Sequence, residues 1–316
     1  MSASWSKGLA KAGGTAWGHR LRKLATPIAL LGPAGIWLLL FLVLPTLLIF
    51  DISLVPGLRP EDVGGTYGWG NYSQVFNPFD AAFDPVYLQV IGRSLYYAIV
   101  ATLICLVLGF PVAYWLAIMA PKRWRNFLVV AFILPLWTSS LLRAYAWISI
   151  LRPTGLLNSL ITWLSGFLPG IDLPTQNWLY TSAAVFVGLT YNFLPYMVLI
   201  LYASLEKLDT ALLEAAADLG ATPRQTFWKV TVPQTLPGIA AGCLLVFITS
   251  MSDFVVPTLL GGASSMTISR LIYNQFLGIT RNWGLGSALS MVMILAVSLA
   301  IALLLKYGDR DSVNEA

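Results

Sequence analysis

The stretch Leu205-Glu-Lys-Leu-Asp-Thr-Ala-Leu-Leu-Glu-Ala-Ala-Ala-Asp-Leu-Gly220-Ala-Thr-Pro-Arg-Gln-Thr-Phe-Trp-Lys-Val-Thr-Val-Pro-Gln-Thr-Leu-Pro237 is a polar connection set between two long apolar runs. Asp209 is placed to cap a short helix through the Ala-rich segment, and Gly220 stands where a helix C-terminus needs a residue tolerant of positive φ. A second start follows, with Thr222 at the cap, Pro223 at the first helical position and Gln225 three residues after the cap, which is the capping-box pattern. The segment reads as helix, stop, helix. On the first helix Leu212, Leu213, Ala216 and Leu219 share an apolar face, while Glu214 and Asp218, four apart, make an acidic edge. Such an element either plugs into a groove of a soluble partner or rests on a bilayer, and the pattern by itself leaves both open.

Outward from this connection the chain is mostly apolar. The 316 residues are 57% hydrophobic and 10% charged, against roughly 25% charged in soluble domains. A buried helix needs about 20 apolar residues to cross the hydrocarbon core, because its backbone must satisfy its own N–H and C=O groups there. Six runs meet that length, at about 28–50, 95–118, 127–150, 179–201, 236–260 and 284–305, so the fold class expected is an all-α integral membrane protein with about six transmembrane helices. A shorter run at 156–168, with Leu157, Leu160, Ile161 and Leu164 on one face, reads as an interfacial helix. Cys105 and Cys243 both fall inside spans and read as small apolar filler.

Six spans put both termini on one side, and the cations decide which. Of the 19 Lys and Arg, thirteen lie in the tail 1–27, the turn around Lys122, the 205–235 loop and the tail 306–316. Arg59, Arg93, Arg143, Arg152, Arg270 and Arg281 lie on the other side or in spans. Both termini are therefore expected in the cytoplasm. The first apolar run is too long for a cleavable signal and reads as a retained anchor. The net charge of +5 flanks membrane segments and forms no aromatic-interleaved stripe, so nucleic acid is not an expected partner, whereas the lipid bilayer is. The outer loop 51–94, with Glu61, Asp62, Asp80 and Asp84, is either a docking surface or a plain solvated loop.

Glu214-Ala215-Ala216, then Gly220, then Val232-Pro233 and Leu236-Pro237 resemble the EAA loop of ATP-binding-cassette (ABC) importer permeases. Asn71-Tyr72, Pro135-Leu-Trp-Thr, Arg143-Ala-Tyr-Ala-Trp, Gly155-Leu-Leu-Asn158 and the run from Ser252-Asp253 through Pro257 to Gly262 extend the likeness to the spermidine/putrescine (polyamine) branch, beginning after residue 24. The resemblance implies a type I importer permease fold in which Glu214, Ala215, Ala216, Asp218 and Gly220 belong to a coupling helix docked on an ATPase subunit. It also implies an ATPase dimer that holds the ATP and Mg, with no cofactor in this chain. An extracytoplasmic solute-binding protein and a second, related permease subunit, a heterodimer in preference to a homodimer, complete the expected set.

Two ionisable residues lie within the spans, Arg143 and Asp253. Each costs about 2.5 to 3.5 kcal/mol at a span centre on insertion scales, so each must face protein or water. Pro257 lacks the N–H that would bond the Asp253 carbonyl, which predicts a helix kink there and a freed carbonyl beside a carboxylate, suited to a cation in the substrate pathway. A structural Asp253–Arg143 bridge or exposure in a loop are the alternatives. Trp137, Tyr145, Tyr191 and Asn192 complete the pathway candidates. Aromatic walls bind alkylammonium groups at about 0.5 to 2 kcal/mol each, although packing explains any single ring as well.

No G-x-x-x-x-G-K-[ST] occurs, His19 is the only histidine, and H-E-x-x-H and G-x-S-x-G are missing. The chain is thus expected to be non-catalytic, with nucleotide hydrolysis on another polypeptide and no metal site. A self-contained secondary transporter predicts internal repeats and several intramembrane charges, whereas the halves show no convincing repeat and the spans only two charges. Within the importer class, another small organic solute such as an opine or an amino-acid derivative is the alternative to a polyamine.

Overall fold

The computed structural model describes residues 32–62, 64–167 and 176–308, and every regular element among them is a helix. The tail 1–27, most of the tail 306–316 and the last residue of the expected interfacial helix lie outside the described residues. In chain order the helices are α1 (Gly32–Ser53), α2 (Gly70–Phe76), α3 (Pro85–Met119), α4 (Lys122–Trp137), α5 (Ser140–Leu151), α6 (Leu156–Phe167), α7 (Ser182–Leu205), α8 (Thr210–Asp218), α9 (Pro223–Ser252), α10 (Val255–Gly261), α11 (Ile268–Leu277) and α12 (Trp283–Gly308). Five of them, α1, α3, α7, α9 and α12, are each long and apolar enough to cross a bilayer.

The core is the bundle of α3, α7 and α9, which pack on one another along their lengths. Cys105, Met197, Val198, Leu201 and Val246 are buried there, and neither cysteine is in a disulfide. Small residues set the spacing: a Cβ on Gly109 would lie 3.1 Å from Met197 Cγ, one on Gly242 would lie 2.9 Å from Met197 Sδ, and one on Gly238 would collide with Ser204. Close backbone approach of this kind replaces the hydrophobic drive that lipid abolishes between helices. By contrast α1 packs chiefly on α12, and none of its most apolar window is buried.

The third apolar run, expected as one helix over 127–150, is instead two. Lys122–Trp137 and Ser140–Gly166 meet at 90°. Pro135 removes a backbone donor, the chain tightens into a 3-10 turn at Leu134–Trp137, and Thr138 and Ser139 adopt ψ of 145° and 137°. Ser139 then caps α5 by accepting from the Leu141 N–H. The Thr-Ser-Ser cap signal was masked by the apolar residues on either side. Asn158 holds the next turn, donating to the carbonyls of Pro153 at 3.0 Å and Gln176 at 2.9 Å. The apolar face expected on α6 is only half covered, with Leu160 and Leu164 exposed.

The second span starts ten residues before the expected position, because Asp84 caps it and Pro85 supplies its first residue. Arg93 therefore lies on a helix, and its guanidinium donates to the Ser264 carbonyl. The outer segment is folded: buried Asn71 donates to the carbonyls of Ser53 (2.8 Å) and Val55 (3.1 Å), and the Ser53 and Tyr72 hydroxyls are 2.7 Å apart. The Asp80 carboxyl is held below its ordinary value, chiefly by the Ala82 N–H and then by the Ser73 hydroxyl.

Candidate functional site

The helix-stop-helix segment has the capping chemistry written in its sequence. Asp209 accepts from the Ala211 N–H at 2.9 Å. At the other end of α8 Gly220 has φ +78°, its N–H reaches the Ala217 carbonyl at 2.9 Å, and the Ala221 N–H reaches the Ala216 carbonyl at 3.0 Å. These two bonds are the paired closure of a Schellman stop, which needs a residue free of a Cβ at the left-handed position. Thr222 and Gln225 form the reciprocal capping box. The second helix does not stay apart, however, but runs on into the span as α9.

No residue of α8 is buried. Leu213 and Ala216 turn towards their own chain and are half-buried, whereas Glu214, Ala215, Asp218 and Gly220 are exposed, and Leu219 is 88% exposed. The helix is anchored at its root. The Phe227 ring meets Phe110 at 5.5 Å, Tyr114 at 5.7 Å and Trp228 at 5.2 Å, all edge to face. Phe227 was not among the sequence candidates, and only the crowding of aromatics just after the capping box hints at it. Phe227–Thr231 forms a wide π turn, where the Val232 N–H bonds the Phe227 carbonyl just before Pro233. A proline whose missing N–H would leave a carbonyl unbonded is accommodated there by the extra residue in the turn.

The second candidate region lies where α9 ends. Asp253 has extended backbone (φ −73°, ψ 125°), and its Oδ1 accepts the N–H groups of Val255 (2.7 Å) and Val256 (3.2 Å), so the carboxylate caps the restart at α10. The break thus falls at Asp253–Phe254 and not at Pro257, which corrects the kink expected at that proline. Pro257 is the third residue of α10, where backbone N–H groups have no intrahelical acceptor, so its missing donor costs nothing.

Two helix breaks converge here. The amide of Asn192, a residue 2% exposed, donates to the Ser140 hydroxyl at 3.1 Å, joining α7 to the first residue after the α4–α5 bend. The same amide and the charge of Arg143 act on the Asp253 carboxylate, and α10 packs on both α5 and α7. Among the described residues Arg143 makes no ion pair with Asp253, and its Nε and Nη1 are buried without a partner. Tyr191 stands edge-on to Trp147 at 5.6 Å. Trp137 and Tyr145 are 82% and 52% exposed and do not join the buried cluster. Sequence reasoning passed over Ser140, whose signal was its place in the cap run.

Beside this cluster, α9, α11 and α12 line an open groove of about 650 Å³ bordered by Ser252, Phe254, Tyr273, Ser290 and Val297 among others. Phe254 stacks on Tyr273 at 5.3 Å, and the Arg270 guanidinium lies 5.1 Å from the Tyr273 ring centre. Among the described residues no three His, Cys, Asp or Glu gather as a metal site. The arrangement offers an exposed helical handle at one end and, between broken helices at the other, a half-buried carboxylate and guanidinium beside a buried amide.

Comparison with known proteins bears on both ends. A family model described as "Binding-protein-dependent transport system inner membrane component" matches residues 109–310. The spermidine/putrescine transport system permease protein PotB of Escherichia coli strain K12 is 42% identical over 265 residues, covering 84% of this chain and 91% of that protein. The inner membrane ABC transporter permease protein YdcU of the same strain is 33% identical over 290 residues, covering 87% and 91%. A crystal structure of a bacterial ABC transporter involved in import of the acidic polysaccharide alginate superposes with a TM-score of 0.71 at 17% identity, over 93% of this chain and 98% of that one, a likeness of fold.

Proposed function

This chain belongs to the family of binding-protein-dependent transport system inner membrane components, and on that footing we propose that it is a permease subunit of an ATP-driven polyamine importer. The observation that carries the substrate is the 42% identity, over most of both chains, to a permease named for spermidine and putrescine. The Asp253 carboxylate between two helix breaks supports it, because a half-buried carboxylate with acceptor capacity left suits an ammonium group.

In this mechanism a solute-binding protein delivers the polyamine to the outer face. ATP, held with Mg by a separate ATPase dimer, closes that dimer against α8, and Glu214, Ala215, Ala216, Asp218 and Gly220 form the gripping surface. The exposed acidic edge and uncovered Leu219 of α8 support this docking. Motion passes through the Phe227 ring cluster into α9 and reaches the break at Asp253. One chain supplies half of the pathway, and a second, related permease supplies the other half, against the faces that α1, Trp137 and Tyr145 leave open. The excess of Lys and Arg on the α8 side supports cytoplasmic termini.

The test is uptake of labelled spermidine and putrescine into proteoliposomes carrying the full complex, with binding protein outside the coupled face and ATP inside. Uptake dependent on both supports the proposal. Uptake with no ATPase partner, or of neither amine while another solute is carried, refutes it.

A further inference from the structure

Arg143 lies one turn beyond the α4–α5 bend, and its charge acts on the carboxylate at the α9–α10 break, yet its guanidinium makes no hydrogen bond or ion pair among the described residues. Its Nε and Nη1 are buried and unsatisfied. Buried guanidinium donors without acceptors are costly, and a side chain with four rotatable bonds relieves the cost by swinging to the nearest acceptor. Asp253, the carboxylate on which its charge acts, is an acceptor on the helix packed against its own. Its Oδ1 is committed to the Val255 and Val256 N–H groups, so Oδ2 keeps capacity for one more donor. Helices α5 and α10, which carry the two groups, are packed together.

A lone carboxylate away from water would hold a dication or trication tightly and give it up slowly. A transport pathway needs the opposite, attraction sufficient for entry and weak enough for exit. Resting on the polyamine reading above, we propose that Arg143 is a tethered competitor for Asp253: its charge acts on the same carboxylate that would hold the solute, so it repels the ammonium groups and shortens their stay. The guanidinium is thus a residue that sets specificity and turnover by opposing the substrate's own charge, with no bond made or broken.

The experiment uses the complete permease and ATPase complex in nanodiscs without binding protein, with equilibrium binding of labelled spermidine, alongside uptake by the same complex in proteoliposomes. Arg143→Gln is expected to bind spermidine about tenfold more tightly, the scale of one like charge removed at close range in protein, and to turn over more slowly. Arg143→Lys should behave as wild type, and Arg143→Gln combined with Asp253→Asn should lose the extra affinity. Unchanged or weaker binding by Arg143→Gln in an intact complex overturns the proposal, and weaker binding marks Arg143 as a ligand for an anionic group of the solute. Failure of both Arg143→Gln and Arg143→Met to assemble also overturns it, because the residue is then structural. If the wild-type complex binds no spermidine but carries another solute, the polyamine reading falls and this proposal with it.

Discussion

Replacing Phe227 by Ala should separate ATP hydrolysis from transport. Its ring touches three others edge to face, at 5.2 to 5.7 Å, and such pairs are worth about 0.5 to 1.5 kcal/mol each beyond burial. A fully buried Phe→Ala change costs about 3 to 5 kcal/mol. Phe227 is only half-buried, so about 2 kcal/mol of the root's rigidity is at stake, roughly a thirtyfold shift between fixed and loose arrangements of α8. The complex should still assemble, since α3, α7 and α9 pack elsewhere along their lengths. Reconstituted in proteoliposomes, the variant should hydrolyse ATP near the wild-type rate while importing about tenfold less spermidine per ATP, and Phe227→Leu should recover most of the loss. An unchanged ratio of ATP spent to solute moved in Phe227→Ala would refute the idea that this ring cluster transmits the ATPase stroke.

Glu214→Ala, which removes an exposed charge from α8, should leave the permease folded and uncouple hydrolysis from uptake, read as the same ratio. Gly220→Val places a branched residue at φ +78°, a cost of about 1 to 2 kcal/mol, and should lower affinity for the ATPase subunit in a pull-down more than it lowers thermal stability of the permease. Asp253→Asn keeps a capping oxygen but loses the charge, so polyamine uptake should fall with subunit assembly intact, and unchanged uptake kinetics would retire Asp253 from the pathway. Asp80, whose folded value lies below the ordinary 3.8, contributes stability above that value and loses it as pH falls through the folded one. Amide exchange over residues 70–84 should therefore quicken only in that acidic window.

Much of this architecture was legible in the residues because membrane insertion and helix capping are local problems. Asp209, Gly220, Thr222, Pro223 and Gln225 act within five residues of themselves, and each does what its neighbours dictate. The breaks were not legible. Thr138-Ser139 and Asp253-Phe254 sit inside runs apolar enough to span, and whether a serine or aspartate in such a run caps a new helix or bonds its own turn depends on what packs beside it. For Asp253 that is α5 and α7, more than fifty residues away in sequence. The proline four residues on was the visible clue, and it pointed to the right neighbourhood with the wrong cause. The meeting of Asn192 with Ser140 is likewise a product of tertiary packing, with no periodicity to announce it. Phe227 looked like one aromatic among many until its three partners were known.

The continuity of α9 from Pro223 to Ser252 has a mechanical consequence. Thirty helical residues make a strut of about 45 Å, with the handle's stop at its foot and the Asp253 carboxylate at its tip. A rotation of a few degrees at the foot displaces the tip by several ångströms, comparable with the reach of one guanidinium. Its compliant stretch is the wide turn before Pro233 together with Pro237 one turn on, so the stiffness of that stretch sets how much of each stroke arrives at the carboxylate and how much is lost as bending.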